Sequence, residues 1–119
     1  MSASGSALAK ATAIGTVAQL AMVLIGHREP DGGMFALLGT TIAGFSGFLY
    51  PFFRKGTTVG DAARGGTAAG GIAAVLGIIV SHLLGDVPLS TVAVGGGMSA
   101  LAGAIGGVIG QRLGAKTSG

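Results

Sequence analysis

The stretch LSTVAVGGGMSALAGAIGGVIGQ, residues 89–111, decides the fold of this chain. No charged residue lies between Asp86 and Arg112. At about 1.5 Å per residue, a helix of this length spans the roughly 30 Å hydrocarbon core of a bilayer. Seven of its residues are glycine, which weakens a helix in water. In lipid, the backbone N–H and C=O groups have no water to bond, so they must bond to one another within the helix. The stretch therefore predicts a transmembrane helix despite its glycines.

A stripe of small residues runs along this predicted helix at a spacing of four. Its members are Thr91, Gly95, Ser99, Gly103 and Gly107. Small residues at this spacing let a second helix backbone approach closely, and this packing replaces the hydrophobic drive that lipid cannot supply. The pattern predicts that the helix packs against another helix.

The composition of the chain lies outside the range of soluble globular proteins. Of its 119 residues, 50% are hydrophobic and 9% are charged, and the mean hydropathy is +0.77; soluble domains carry about 25% charged residues. The 25 glycines follow no collagen period, and the apolar content excludes disorder. An integral membrane protein remains. Its net charge of +3 then reports topology rather than nucleic-acid binding.

Three further apolar stretches predict three more membrane-spanning helices. Together, the four helices cover about 7–26, 34–53, 66–84 and 89–111. Pro51 is expected to end or kink the second helix, and Asp61 is expected to cap the third. The predicted fold class is all-α, an integral membrane protein with one domain, 1–119, of four transmembrane helices in two hairpins.

The second and third predicted helices carry small-residue stripes of the same kind. With those of the fourth, the expected helix-packing positions are Gly39, Ala43, Gly47, Gly66, Gly70, Ala73, Gly77, Gly95, Ser99, Gly103 and Gly107. We expect that four short helices cannot cover every stripe internally. The pattern therefore favours partners in the plane of the membrane, either copies of the same chain or other membrane subunits.

The positive charges are distributed unevenly along the chain. Six of the seven fall at the N-terminus, in the central linker or at the C-terminus: Lys10, Arg54, Lys55, Arg64, Arg112 and Lys116. With four spans these three places share one side of the membrane. The two loops on the other side hold Arg28, Glu29, Asp31 and Asp86. Because cytoplasmic loops carry the excess of Lys and Arg, both termini of this multi-pass protein are predicted to face the cytoplasm.

The chain resembles itself at an offset of 55 residues. Within positions 12–27, Thr12, Ala13, Gly15, Ala18 and His27 recur as Thr67, Ala68, Gly70, Ala73 and His82. Two interpretations stay open: a tandem duplication with repeats of about 7–55 and 62–116, or chance agreement in a chain rich in glycine and alanine. A duplication of two helices would leave both copies in the same orientation, unlike the inverted repeats of many transporters.

Three polar side chains are candidates for a specific role. His27 and His82 end the first and third predicted helices on the same side. They are candidate ligands for a metal, haem or chlorophyll. Imidazole also suits a helix C-terminus without any ligand, because it interacts with the exposed carbonyl groups and the dipole. We expect this second role, and no cofactor. Gln19, the one amide inside a predicted span, is expected to form an interhelical hydrogen bond.

The sequence lacks the patterns of an enzyme. No acidic or basic side chain lies deep in a predicted span, and the chain has no cysteine and no evident nucleophile and base. We therefore expect a non-enzymatic structural or assembly subunit of a homo-oligomer, a larger membrane complex or a membrane-containing particle. Two alternatives stay open. One is a holin-like pore or small channel; the other is a subunit that carries haem, chlorophyll or a metal on its two histidines.

Overall fold

The computed structural model describes residues 3–26, 32–54, 56 and 58–118. Within the helices, it describes only the backbone of residues 3–4, 32–36 and 115–118. The described residues form four helices and no strand: α1 Ala3–Gly26, α2 Gly32–Phe53, α3 Val59–Leu83 and α4 Ser90–Ser118. The prediction of an all-α chain with four helices is confirmed.

Three of these helices contain segments long and apolar enough to cross a membrane. The segments are Gly5–Gly26, Val59–Leu83 and Ser90–Gly114, and α2 contributes a shorter apolar segment, Leu37–Phe53. Large apolar side chains are exposed on the outside of every helix, among them Val17, Leu37, Leu76 and Leu101. The described part of the chain therefore has an apolar exterior.

The third helix begins at Val59 rather than near residue 66. Its N-cap is Thr58, whose hydroxyl oxygen accepts a hydrogen bond of 3.1 Å from the backbone N–H of Asp61. The prediction that Asp61 caps the helix is therefore wrong. Asp61 lies in the first turn instead, where its negative charge suits the positive end of the helix dipole.

Pro51 does not end the second helix, which continues through it to Phe53. The backbone N–H of Arg54 still donates to the Tyr50 carbonyl at 2.8 Å, so the last turn closes normally. A proline removes only one helical hydrogen bond, and near a C-terminus this loss interrupts little of the helix.

The helices α2 and α3 lie at the centre of a bundle with extents of 46 × 27 × 21 Å. The outer helices α1 and α4 each pack against both of them, and among the described residues no Cα atom of α1 lies within 8 Å of one in α4. Lys10 Nζ lies 5.8 Å from the centre of the Phe53 ring, and Gly107 lies against the carbonyl of Ala62. The N-terminal part of α1 therefore lies beside the C-terminal end of α2, and the C-terminal part of α4 lies beside the N-terminal part of α3. This end of the bundle is the one at which segment 54–58 joins α2 to α3, and turn 84–89 joins α3 to α4 at the other end.

Candidate functional site

The half of the bundle nearer segment 54–58 is closed by contacts between helix backbones. A Cβ added to Gly103 of α4 would meet the carbonyl oxygen of Gly66 and would lie 3.2 Å from the Cα of Gly70, both in α3. On its other side, Gly47 of α2 lies against the Gly103 backbone. At this level α4 contacts two helices at once, and only a hydrogen atom fits as its side chain.

Gly70 marks the point at which α2, α3 and α4 meet. A Cβ on this residue would lie 2.6 Å from the Ala43 carbonyl oxygen, 2.9 Å from the Cα of Gly103 and 3.1 Å from the Ser99 carbonyl oxygen. All three atoms belong to backbones, which move only if a whole helix moves. The approach therefore depends on the absence of a side chain at Gly70.

Two glycines that the sequence analysis did not single out contribute to the same packing. Gly106 and Gly110 of α4 lie against the backbone of α2, with Cβ positions that would meet Gly44 and Phe48. They form a second small-residue face of α4, next to the Gly103 stripe. In the sequence, the spacing of four residues between Gly106 and Gly110 could have indicated this second face.

The predicted helix-packing positions are covered within the chain. All are buried except Gly95, which is half-buried. The expectation that four helices would leave stripes uncovered is therefore wrong. The helix α4 packs one small-residue face against α3 and another against α2, so the stripes of these three helices cover one another.

Gln19 separates α2 from α3 at the level where the backbone contacts end. Its side chain is 2% exposed, and its Nε2 donates a hydrogen bond of 2.8 Å to the Gly39 carbonyl of α2. On the opposite side, a Cβ on Gly77 of α3 would lie 2.9 Å from the Gln19 Cβ. Gly39 and Gly77 thus make room for an amide side chain rather than for each other. Ser46 makes a second bond between helices, from its Oγ to the Ala11 carbonyl at 2.8 Å.

The turn that joins α3 to α4 is held by a histidine. His82 Nδ1 lies 2.9 Å from the Val87 carbonyl oxygen, and because a carbonyl only accepts, the nitrogen donates. Gly85 has a φ of +83°, a conformation that favours glycine and ends α3. His27 lies outside the described residues. Among those described, no group of three His, Cys, Asp or Glu side chains could hold a metal ion.

A cavity of about 380 Å³ lies between the helices at the end of the bundle with this turn. We call it the turn-side cavity. Its walls are mostly apolar, and its polar lining residues are Gln19, Thr40, Ser81, Asp86, Thr91 and Ser99. Ligand sites in proteins commonly enclose about 300–1,000 Å³ and combine apolar walls with a few polar groups. Its size lies within this range, and its lining makes the turn-side cavity a candidate for a binding site in the described part of the chain.

A second concave surface lies outside the bundle along α1. We call it the outer groove, and it is lined by Gly5, Leu8, Ala9, Thr12, Ala13, Thr16, Val17 and Leu76. The hydroxyl oxygens of Thr12 and Thr16 are buried and have no hydrogen-bond partner among the described residues. The exposed surface of these threonines is therefore apolar, as is the surface of the groove as a whole.

Comparisons of the chain with protein-family models, curated proteins and solved structures find no match. The geometry alone therefore carries the assignment of function. In the described part of the chain, the turn-side cavity inside the bundle and the outer groove on α1 are two candidate surfaces.

Proposed function

We propose that this protein is a non-enzymatic integral membrane protein that acts as a structural subunit and associates with copies of itself through the outer groove. The groove carries the proposal, because it is an apolar concave surface along α1 in which the small residues Ala9 and Ala13 are left exposed by the described part of the chain. The other small-residue stripes are covered by helices of the same chain.

Insertion in a bilayer is supported by the apolar exterior and by the placement of charge. The described cations Lys10, Arg54, Arg64 and Arg112 belong to the end of the bundle with segment 54–58, whereas Asp86 belongs to the opposite end. Because positively charged loops stay in the cytoplasm, we propose that segment 54–58 and both termini lie on the cytoplasmic side. The turn-side cavity then lies toward the outer face of the membrane.

Single cysteines test this orientation cleanly, because the chain contains none. Ser90→Cys, at the start of α4, is expected to react with a membrane-impermeant thiol reagent in intact cells. Val59→Cys, at the start of α3, is expected to react only after the cells are opened. Both positions are exposed, so access to the reagent alone separates them. Labelling of Val59→Cys in intact cells would reject the proposed orientation.

The small residues of the outer groove form a stripe at a spacing of four. Gly5, Ala9 and Ala13 follow one another along α1, and the two alanines are exposed. Two copies in one membrane share an orientation, so a two-fold axis along the membrane normal brings one α1 parallel to the other. The two grooves then face each other, and the stripes let the backbones approach closely.

Ala13→Leu is expected to weaken self-association by about tenfold or more, a loss of roughly 1.4 kcal/mol. The leucine would occupy the space that a second α1 needs. Because Ala13 is exposed, the fold of the single chain should not change. The measurement is the dimer fraction of fluorescently labelled protein in bilayers at decreasing protein-to-lipid ratios.

Ala21→Leu is the matched control for this variant. Ala21 is exposed on the same helix but lies outside the outer groove, so the same substitution should leave the dimer fraction unchanged. Equal association of Ala13→Leu and the parent would exclude the outer groove as the interface. An equal loss of dimer in Ala13→Leu and Ala21→Leu would show a general effect of leucine on α1. This result would also count against the outer groove as the interface.

No described contact favours the two alternative functions. Below the turn-side cavity, the backbones of α2, α3 and α4 touch at Gly70 and Gly103, so a pore through the single chain would have to open there. The ring of His82 is engaged through Nδ1 in holding the turn, which explains its position without a haem, chlorophyll or metal.

A further inference from the structure

We propose that the turn-side cavity binds a neutral amphiphile from the membrane, a molecule with a hydrocarbon body and one hydroxyl or carbonyl group. The cavity encloses about 380 Å³. An apolar cavity of about 150 Å³ already holds benzene. The turn-side cavity therefore has room for a larger hydrocarbon group.

The polar end of the ligand is placed by Ser81. This side chain is 4% exposed and lines the cavity, and its Oγ has no hydrogen-bond partner among the described residues. A buried hydroxyl that makes no bond is costly, and a ligand with a donor or acceptor would remove this cost. Ser81 lies one helical turn, about 6 Å, beyond Gly77, which is packed against Gln19. A Cβ on Gly77 would also lie 3.7 Å from Gln19 Oε1, so this amide lies near the same wall.

The lining of the cavity selects an uncharged ligand. Among the described residues, no lysine or arginine lines it, so these residues would leave a buried carboxylate or phosphate without a cation. Asp86 is the one ionisable side chain among the described lining residues. The rest of the described lining combines uncharged polar side chains, such as Thr40, Thr91 and Ser99, with apolar side chains and glycine. A ligand with a hydrocarbon body and a single hydroxyl or carbonyl group matches both the apolar walls and the uncharged polar groups of the lining.

The ligand enters through the side of the bundle. Val94 and Met98 line the cavity and are 65% and 55% exposed, so the opening lies beside α4. Both residues belong to the apolar segment Ser90–Gly114. In a bilayer, this opening would face hydrocarbon chains rather than water. The ligand source is therefore the lipid phase.

This inference depends on insertion in the membrane, which the cysteine variants test, but not on self-association. The Ala13→Leu variant should bind the ligand like the parent, because the outer groove and the cavity share no lining residue. Failure of one proposal is thus distinguishable from failure of the other.

The test uses a photoactivatable medium-chain alcohol that carries a diazirine, added to the purified full chain in lipid bilayers. After illumination, peptide mass spectrometry locates the labelled residues. We expect labelling within the cavity, at residues such as Met98 and Ser81. A diazirine alkane without the hydroxyl group is the matched probe, and it should label the cavity less at the same bilayer concentration.

Two pairs of variants separate binding in the cavity from labelling at the lipid surface. Gly95→Leu should abolish cavity labelling, because its new side chain displaces only the flexible tip of Ile78 and enters the cavity. Gly97→Leu is its control, since nothing lies within 4 Å of the Gly97 Cβ position. Ser81→Ala should weaken binding of the alcohol roughly three- to tenfold, the loss of one neutral hydrogen bond. Thr67→Ala removes an exposed hydroxyl from the same helix and should change nothing.

The source of the natural ligand is read from protein purified out of its own membrane. A neutral lipid that co-purifies with the parent and is lost from Gly95→Leu identifies a membrane lipid. Alcohol labelling without such a lipid identifies a free amphiphile. Cavity labelling that is equal in the parent and Gly95→Leu would overturn the proposal. The absence of both cavity labelling and a retained lipid would also overturn it.

Discussion

Gly103→Leu is expected to disrupt the fold of the single chain, beyond any effect on association between chains. The Cβ of the new side chain would meet the carbonyl oxygen of Gly66 and would lie 3.0 Å from its carbonyl carbon. Overpacking of a core costs typically about 1–3 kcal/mol and occasionally more. Because backbone atoms block this site, we expect about 3 kcal/mol or more. Insertion should survive, since leucine is well accepted by the bilayer.

A buried reporter thiol measures this loss. Ser46 is 0% exposed, so Ser46→Cys should react with a thiol reagent only when the bundle opens. In the Gly103→Leu background the reporter is expected to react quickly in mild detergent. Ile105→Leu is the matched control, because Ile105 is exposed on the same helix and the change conserves volume. Protection of the thiol in both backgrounds would contradict the α3–α4 contact.

Gly70→Ala is expected to destabilise the bundle by about 1–3 kcal/mol, although it adds a single methyl group. The added carbon would lie within 3.1 Å of three backbone atoms of α2 and α4, and the closest is the Ala43 carbonyl oxygen at 2.6 Å. Relief requires α2 or α4 to move away from α3. The measurement is the midpoint of thermal unfolding in one detergent, followed by the same reporter thiol.

Gly97→Ala is the control for a glycine outside a helix contact. Nothing lies within 4 Å of its Cβ position, so alanine should be tolerated there. Replacing an interior helix glycine with alanine is stabilising by roughly 0.5–1 kcal/mol in water. The two substitutions should therefore shift the unfolding midpoint in opposite directions. A midpoint for Gly70→Ala at or above that of the parent would show that the three helices do not meet at this residue.

The fold class could be predicted from the sequence because it depends on local properties. The length of the apolar stretches, the scarcity of charge and the glycine spacing are readable along the chain, and they indicated four helices. Individual boundaries were less accurate. The helix α3 extends toward the N-terminus to Val59, because a hydroxyl three residues before Asp61 caps it. A polar stretch with charged residues favoured a linker, yet helix caps and first turns have the same composition.

The candidate sites could be predicted only in part. Gln19 was singled out as a polar side chain inside an apolar helix, and the structure pairs it with Gly39. Ser81 carried no comparable signal, because a serine at the end of a helix is common. Its role emerges only when α3 is placed beside the other helices and its hydroxyl is found buried without a partner.

By itself, the sequence determined an apolar, glycine-rich, four-helix chain with faces of small residues, since helix periodicity alone specifies which residues share a face. Only the tertiary structure decided which face meets which helix. Contacts such as Gly103 with Gly66 join residues far apart in the chain. The small-residue faces of the helices resemble one another, so the sequence does not specify which of them pair. The tertiary structure also decided that Gln19 lies between α2 and α3 at Gly39 and Gly77, where these helices make room for a side chain beside the turn-side cavity. Close approach of backbones and the space left between them are properties of the packed bundle, because they depend on three or more helices at once.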